Sequence, residues 1–239
     1  MIELFKLNHS LYFPALEFAL EEPNGLLAFG GDLSPERLVA AYKQGVFPWF
    51  SDLDPILWWS PNPRGVIDAT EFNANRSLRR SIKKQGYYCT LNTAFSSVIK
   101  HCANVPRGNL ENGEANGTWI TQDMINAYQR LHELGHAHSV EVYNSENQLV
   151  GGLYGVVVSG VFCGESMFHL QSDASKVAFL ALAQHMLRNN MCIIDCQLVN
   201  PHLVTLGCKA VPRKEFVQLL NKYPNKVDCW QPQNLSICL

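Results

Sequence analysis

Glu165, Asp195 and Gln197 stand where an ordinary core would place apolar side chains. Glu165 lies in the run 161–168, whose strand-like alternation predicts one shared face for Val161, Cys163, Glu165 and Met167. A carboxylate on so oily a face is costly unless it is paired or used. In the run 191–197, alternation gives Ile193, Asp195 and Gln197 one face and Cys192, Ile194 and Cys196 the other. An acid and an amide thus emerge together at a strand end, where function collects in mixed sheets. Buried carboxylates of this kind recognise charge or handle protons. The plain alternative is that each satisfies backbone groups or pairs with Lys176. Two such departures in neighbouring elements favour a site.

The elements that must hold these groups read as a hairpin, a helix and a further strand. The hairpin joins 149–158 to 161–168 through Ser159-Gly160, a two-residue turn of the tight kind. Ser172 or Asp173 can cap the helix that follows, and its run Val177-Ala178-Phe179-Leu180-Ala181-Leu182 predicts burial on most sides. Upstream, Ser34-Pro35 predicts a helix start closed by Gly45, and a shorter helix is expected over 15–22. Gly30-Gly31-Asp32 lacks both the P-loop lysine and the GxGxxG spacing, so it reads as a tight turn. Strands are expected at 87–91 and 140–143, and helices at 94–102, from Thr121 to Gly135, after Asn200-Pro201 and after Val211-Pro212. The Asn- and Gly-rich stretch 104–117 reads as a long loop.

The chain has 239 residues, enough to bury a full core, and its 47% hydrophobic and 17% charged residues are those of a globular protein. Apolar runs of membrane-spanning length and a basic-then-apolar leader are both missing, which predicts a cytoplasmic protein. Eight scattered cysteines without paired CxxC knuckles agree. Gly135 breaks the helix between His132 and His136, so these and His138 do not predict a metal site.

Net charge is −2, yet 72–110 contains no acid and carries +7, leaving −9 for the remainder. Within it, 75–85 predicts a helix with Arg76, Arg79, Arg80, Lys83 and Lys84 gathered on one face. With nothing acidic to offset it, that face points to a nucleic-acid backbone. Phe47-Pro48-Trp49-Phe50 and Trp58-Trp59-Ser60-Pro61-Asn62-Pro63-Arg64 make either a small aromatic core or a wall for stacking on a base, and bends near 60–65 suggest a domain boundary.

Taken in order, Glu22-Pro23-Asn24-Gly25-Leu26-Leu27-Ala28, Gly30-Gly31-Asp32-Leu33-Ser34, Phe47-Pro48-Trp49-Phe50, Trp58-Trp59-Ser60-Pro61, Gly135-His136-Ala137-His138-Ser139-Val140-Glu141, Gly164-Glu165-Ser166-Met167-Phe168, Ala174-Ser175-Lys176 and Asp195-Cys196-Gln197 resemble the bacterial leucyl/phenylalanyl-tRNA–protein transferases. The resemblance covers nearly the whole chain. Departures are Val46 in place of Ile and the loop 106–117, longer than the family pattern.

The resemblance implies an α+β protein with a small N-terminal domain, 1–63, and a catalytic domain, 64–239, whose mixed sheet is acetyltransferase-like (GNAT-type). It implies a cytoplasmic monomer that moves Leu, Phe and less readily Met from aminoacyl-tRNA to the N-terminal Arg or Lys of a protein, marking that protein for degradation. The donor ester is already activated, so neither cofactor nor metal is required. By resemblance, Asp195 and Gln197 lie against the attacking amine and the reacting carbonyl, with Asp195 orienting Gln197 or accepting a proton. Glu165 holds the donor's α-amino group. Leu153, Phe162, Met167, Phe179, Leu182 and Ile194 are the candidates for the aminoacyl side-chain pocket, which would reject polar side chains through desolvation. Trp49 and Trp119 resemble the aromatics that flank the terminal adenosine, and Arg76, Arg80, Lys83 and Lys84 the basic cluster on the acceptor stem. Two rivals remain. An acyl-CoA N-acetyltransferase suits the element order, but Gln171-Ser172-Asp173-Ala174-Ser175-Lys176 lacks a glycine-rich pyrophosphate loop. A tRNA-binding module without chemistry leaves Asp195 and Gln197 unexplained.

Overall fold

The computed structural model of the chain describes residues 4–104, 119–222 and 228–239, and the loop 106–117 lies outside them. Four short strands, Phe5–Leu7 (β1), Leu26–Gly30 (β2), Phe47–Pro48 (β3) and Leu57–Trp59 (β4), form a sheet in the order β1-β2-β4-β3. Pro35–Lys43 (α1) starts with proline in its first turn, as Ser34-Pro35 predicts. The helix expected over 15–22 is only a single 3-10 turn, Leu16–Phe18. Pro23 and Gly25 close off that run, and the chain turns into β2 instead.

The second sheet has eight strands. Arg64–Asp68 (β5), Tyr88–Leu91 (β6), Ala137–Tyr143 (β7), Leu149–Val158 (β8), Val161–His169 (β9), Ile193–Gln197 (β10), Lys209–Val211 (β11) and Gln233–Leu235 (β12) lie in the order β11-β5-β10-β9-β8-β7-β6-β12. Neighbours are antiparallel except β9 and β10, which are parallel and need a crossover. That crossover is Ala174–Arg188 (α5), buried along most of its length as its unbroken apolar run predicts. Ser159 and Gly160 both have positive φ, which suits the tight turn between β8 and β9.

Helices cover both faces of this sheet. Arg76–Gln85 (α2) contributes Leu78 and Ile82 to the same core as α5. Phe95–Asn104 (α3), Gln122–Glu133 (α4) and Arg213–Leu220 (α7) share the other core with α1 and the first sheet. A five-residue helix, Pro201–Thr205 (α6), follows β10. The molecule is therefore mixed α+β, and residues of the first sheet, such as Leu27 and Trp58, belong to a core that extends to Val66, Phe95 and Tyr154 of the larger unit.

Two irregularities in the large sheet aim the candidate side chains. Gly155 pairs with Gly164 but Tyr154 pairs with Ser166, so Glu165 is the extra residue of a bulge in β9. Asp195 pairs with Val66 but Gln197 with Gly65, so Cys196 is the extra residue in β10. A bulge re-aims side chains and shifts the alternation beyond it. The face predicted for Glu165 is corrected accordingly: Val161 and Cys163 pack in one core, whereas Met167, past the bulge, packs against the other. β10 pairs with β9 only at Ile194–Phe162 and Asp195–Cys163. The strands then part, and a cavity opens between them.

Candidate active site

The cavity has a volume of about 600 Å³. Leu153, Phe162, Met167, Phe179, Leu182 and Ile194 all line it, together with Trp49, Trp119, Glu165 and Gln197. The structure thus brings together ten of the residues singled out in the sequence. Phe162, Leu182 and Ile194 belong to the core packed under α5, so the apolar end of the cavity is an inward extension of that core.

Glu165 is partly buried at the cavity wall, and its carboxylate is held from both sides. The Tyr42 hydroxyl donates to Oε1 at 2.7 Å and the Tyr128 hydroxyl to Oε2 at 3.0 Å. The two hydroxyl oxygens also touch each other, so the three contacts of this triangle share the two phenolic protons and the proton of Glu165 when it is present. A further bond to Oε1, 3.1 Å long, comes from Nε2 of Gln197. Burial pushes the Glu165 carboxyl up to about 7, the hydroxyl donors opposing that shift. Burial and the neighbouring carboxylate likewise push the Tyr42 and Tyr128 phenols well above their ordinary range, so both remain donors. These tyrosines come from the buried faces of α1 and α4.

Asp195 is fully buried and stands behind the cavity wall, outside the lining. Arg64 grips it with two bonds, Nε to Oδ1 and Nη2 to Oδ2, each 2.7 Å. Burial opposes the charge on Arg64, but the Asp195 carboxylate outweighs it and moves the guanidinium pKa up. Oδ1 of Asp195 also accepts the backbone N–H of Gln197 at 3.0 Å. Lys176 has a different partner, Asp173, at 3.1 Å. Asp173 occupies the start of α5 but makes no side-chain cap there, and Ser172 gives its carbonyl to Tyr87.

Trp49 lines the cavity, is 41% exposed and packs edge-on against Trp59 at 5.4 Å. On α2, Arg76, Arg79, Arg80, Lys83 and Lys84 are exposed while Leu78 and Ile82 are buried, the one-sided face predicted by spacing. Asn75 caps the helix through Oδ1, which accepts from Leu78 N–H at 2.8 Å. Phe72, just ahead of α2, meets the cavity residue Phe179 edge-on at 4.7 Å. The histidines do not converge: His132 bonds the Ala137 carbonyl, and His138 bonds Asn92 and stacks on Trp230.

Arg64, Tyr42 and Tyr128 hold the two acids of the candidate site, and sequence reasoning missed them. Tyr42 and Tyr128 read as core positions of amphipathic helices, although a buried tyrosine always leaves a hydroxyl in need of a partner. Arg64 follows Pro63 in an aromatic run, and nothing in its local sequence points 131 residues ahead to Asp195.

The profile of the leucyl/phenylalanyl-tRNA protein transferase family matches residues 66–221, and that of its N-terminal domain matches 31–62. The leucyl/phenylalanyl-tRNA–protein transferases of Pseudoalteromonas atlantica and Shewanella loihica are 52% and 50% identical to this chain, each alignment covering 99% of both sequences. That of Tolumonas auensis is 50% identical over 239 residues. Among solved structures, L-PGS from Bacillus licheniformis aligns over 70% of this chain and 51% of its own at 10% identity with a TM-score of 0.39, too loose a likeness to argue from. With its full length aligned to these relatives at half identity, the chain belongs to the leucyl/phenylalanyl-tRNA–protein transferase family.

Proposed function

We propose that this enzyme transfers leucine or phenylalanine, and less readily methionine, from aminoacyl-tRNA to the N-terminal Arg or Lys of a protein, marking it for degradation. The observation that carries this reading is an apolar cavity with Glu165 and Gln197 side by side at its wall. Glu165 takes the donor's α-ammonium, and the six apolar residues around it accept Leu, Phe or Met while excluding side chains that need water. Trp49 and Trp119 flank the terminal adenosine, and Arg76, Arg80, Lys83 and Lys84 take phosphates of the acceptor stem.

In the transfer step the acceptor's neutral α-amine attacks the ester carbonyl, the new N–C bond replaces the C–O bond to ribose, and the proton lost by the amine ends on the departing ribose oxygen, leaving a free hydroxyl on the tRNA. An α-amine with an ordinary pKa of about 8 is already partly neutral at pH 7, so positioning supplies much of the acceleration. Gln197 donates through Nε2 to the reacting carbonyl, exchanging its present bond to Glu165 for one to substrate. Asp195 acts from behind by orienting Gln197.

The parallel β9–α5–β10 crossover and the parting of its strands favour an acetyltransferase-like sheet, and the change from the small to the large sheet between Trp59 and Arg64 supports a boundary at 63/64. The reading takes the enzyme as a cytoplasmic monomer; among the described residues no helix is long and apolar enough to cross a membrane. The test is to mix labelled Leu-tRNA with a protein bearing N-terminal Arg. Label should enter that protein and should not enter the same protein bearing N-terminal Gly; no label in the Arg form rejects the proposal.

A further inference from the structure

Gln197 has a left-handed backbone, φ 57°, a conformation that is unfavourable for a non-glycine residue and needs outside support. Its N–H finds that support on Oδ1 of Asp195 at 3.0 Å. The same oxygen takes Nε of Arg64. Arg64 is in turn fixed in every direction. Its Nη1 donates to the Gly45 carbonyl at 3.0 Å, and its guanidinium carbon lies 4.9 Å from the Phe47 ring centre and 4.6 Å from that of Phe216. Arg64 is 1% exposed and Asp195 is fully buried, so water does not compete for these bonds. Gly45 follows α1, Phe47 belongs to β3 and Phe216 to α7; three separate elements therefore converge on one side chain whose far end reaches the bulge of β10.

We infer that Arg64 is a positioning residue for transfer, holding Asp195 so that Gln197 keeps the left-handed turn that aims its carboxamide at Glu165 and the cavity. This rests on the proposed role of Gln197. Arginine is required because only a planar fork can bind both carboxylate oxygens while its faces stack between two rings; a lysine ammonium would carry the charge without fixing the direction. Arg64 acts without touching substrate, so its loss slows the transfer step and leaves donor binding in place.

A double-mutant cycle tests this, with single-turnover transfer rate and donor-tRNA affinity measured for wild type, Arg64→Lys, Gln197→Ala and the double variant. Arg64→Lys should lower the rate at least tenfold with donor affinity within twofold of wild type. In the Gln197→Ala background the same change should alter the rate less than twofold, because the group it positions is gone. Full, independent losses in both backgrounds, or an unimpaired Arg64→Lys enzyme, overturn the inference. An unimpaired Gln197→Ala enzyme overturns the reading of Gln197 beneath it. If Arg64→Lys does not fold, Phe216→Leu, which keeps the Arg64–Asp195 pair but removes a ring that fixes the guanidinium, goes through the same cycle: a rate loss confined to the background that keeps Gln197 supports the inference, and an unimpaired enzyme or equal losses in both backgrounds overturn it.

Discussion

At the scale of single residues, the two acids prominent in the sequence have opposite environments. Glu165 faces the cavity with hydroxyl and amide donors; Asp195 is sealed against a guanidinium. Raised from 4.5 to about 7 chiefly by burial, the Glu165 carboxyl binds its proton more tightly in the folded than in the unfolded chain. Its contribution to stability is therefore full below about 4.5 and is lost as pH rises to about 7. Glu165→Gln should flatten the fall in stability measured by urea unfolding across that window. It should also raise the donor KM on the order of tenfold, since a charge-assisted bond is worth about 1.5–3 kcal/mol. An unchanged pH profile would remove Glu165 as its cause. Asp195→Ala leaves Arg64 buried without its counter-charge, a loss of about 3–5 kcal/mol visible as a lower Tm, and should reduce transfer more than tRNA binding. Equal loss of both would argue that the site as a whole has collapsed.

At the scale of elements, the strand bulges set where the site's side chains point and the basic helix presents the surface proposed for tRNA. Gly155 sits opposite the bulge of β9, where an added Cβ would meet the Cys163 carbonyl oxygen at 2.3 Å and the Phe162 ring at 2.6 Å. Gly155→Ala should cost about 1–3 kcal/mol through overpacking, read as a drop in Tm, and a neutral substitution would show that the bulge has room to move. Replacing Arg76, Arg80, Lys83 and Lys84 with glutamine should weaken tRNA binding and reduce its salt slope by roughly three if each takes a phosphate. A slope that stays put would take α2 out of the tRNA interface. Much of this element plan was legible beforehand, because α1, α2, α4, α5 and the β8–β9 hairpin carry strong caps, turns or periodicity. The bulges were not: alternation assumes an unbroken register, so the face of Met167 was misread. The strands β1 to β5, β11 and β12 were missed because two to five residues, several beside proline, are too short to show a period.

At the scale of the whole molecule, the site exists because segments far apart in sequence meet where β9 and β10 separate. Tyr42 comes from α1, Tyr128 from α4 and Arg64 from β5, and none could be assigned without knowing which elements touch. The six apolar residues were legible through their place on the hairpin, helix and strand, although sequence alone does not distinguish a cavity wall from a filled core. Enlarging Leu182 to Trp should shrink the cavity and shift preference from Phe toward Leu by roughly tenfold in kcat/KM, an effect absent if the side chain binds elsewhere. The most direct test of the account is a crystal structure with phenylalanyl-adenosine joined by an amide in place of the ester. The account predicts the phenyl ring among Leu153, Phe162, Phe179 and Leu182, the α-amino group within hydrogen-bond distance of Glu165, and the adenine against Trp49 or Trp119. A ligand seated outside this cavity, or one whose amino group lies away from Glu165, would contradict it.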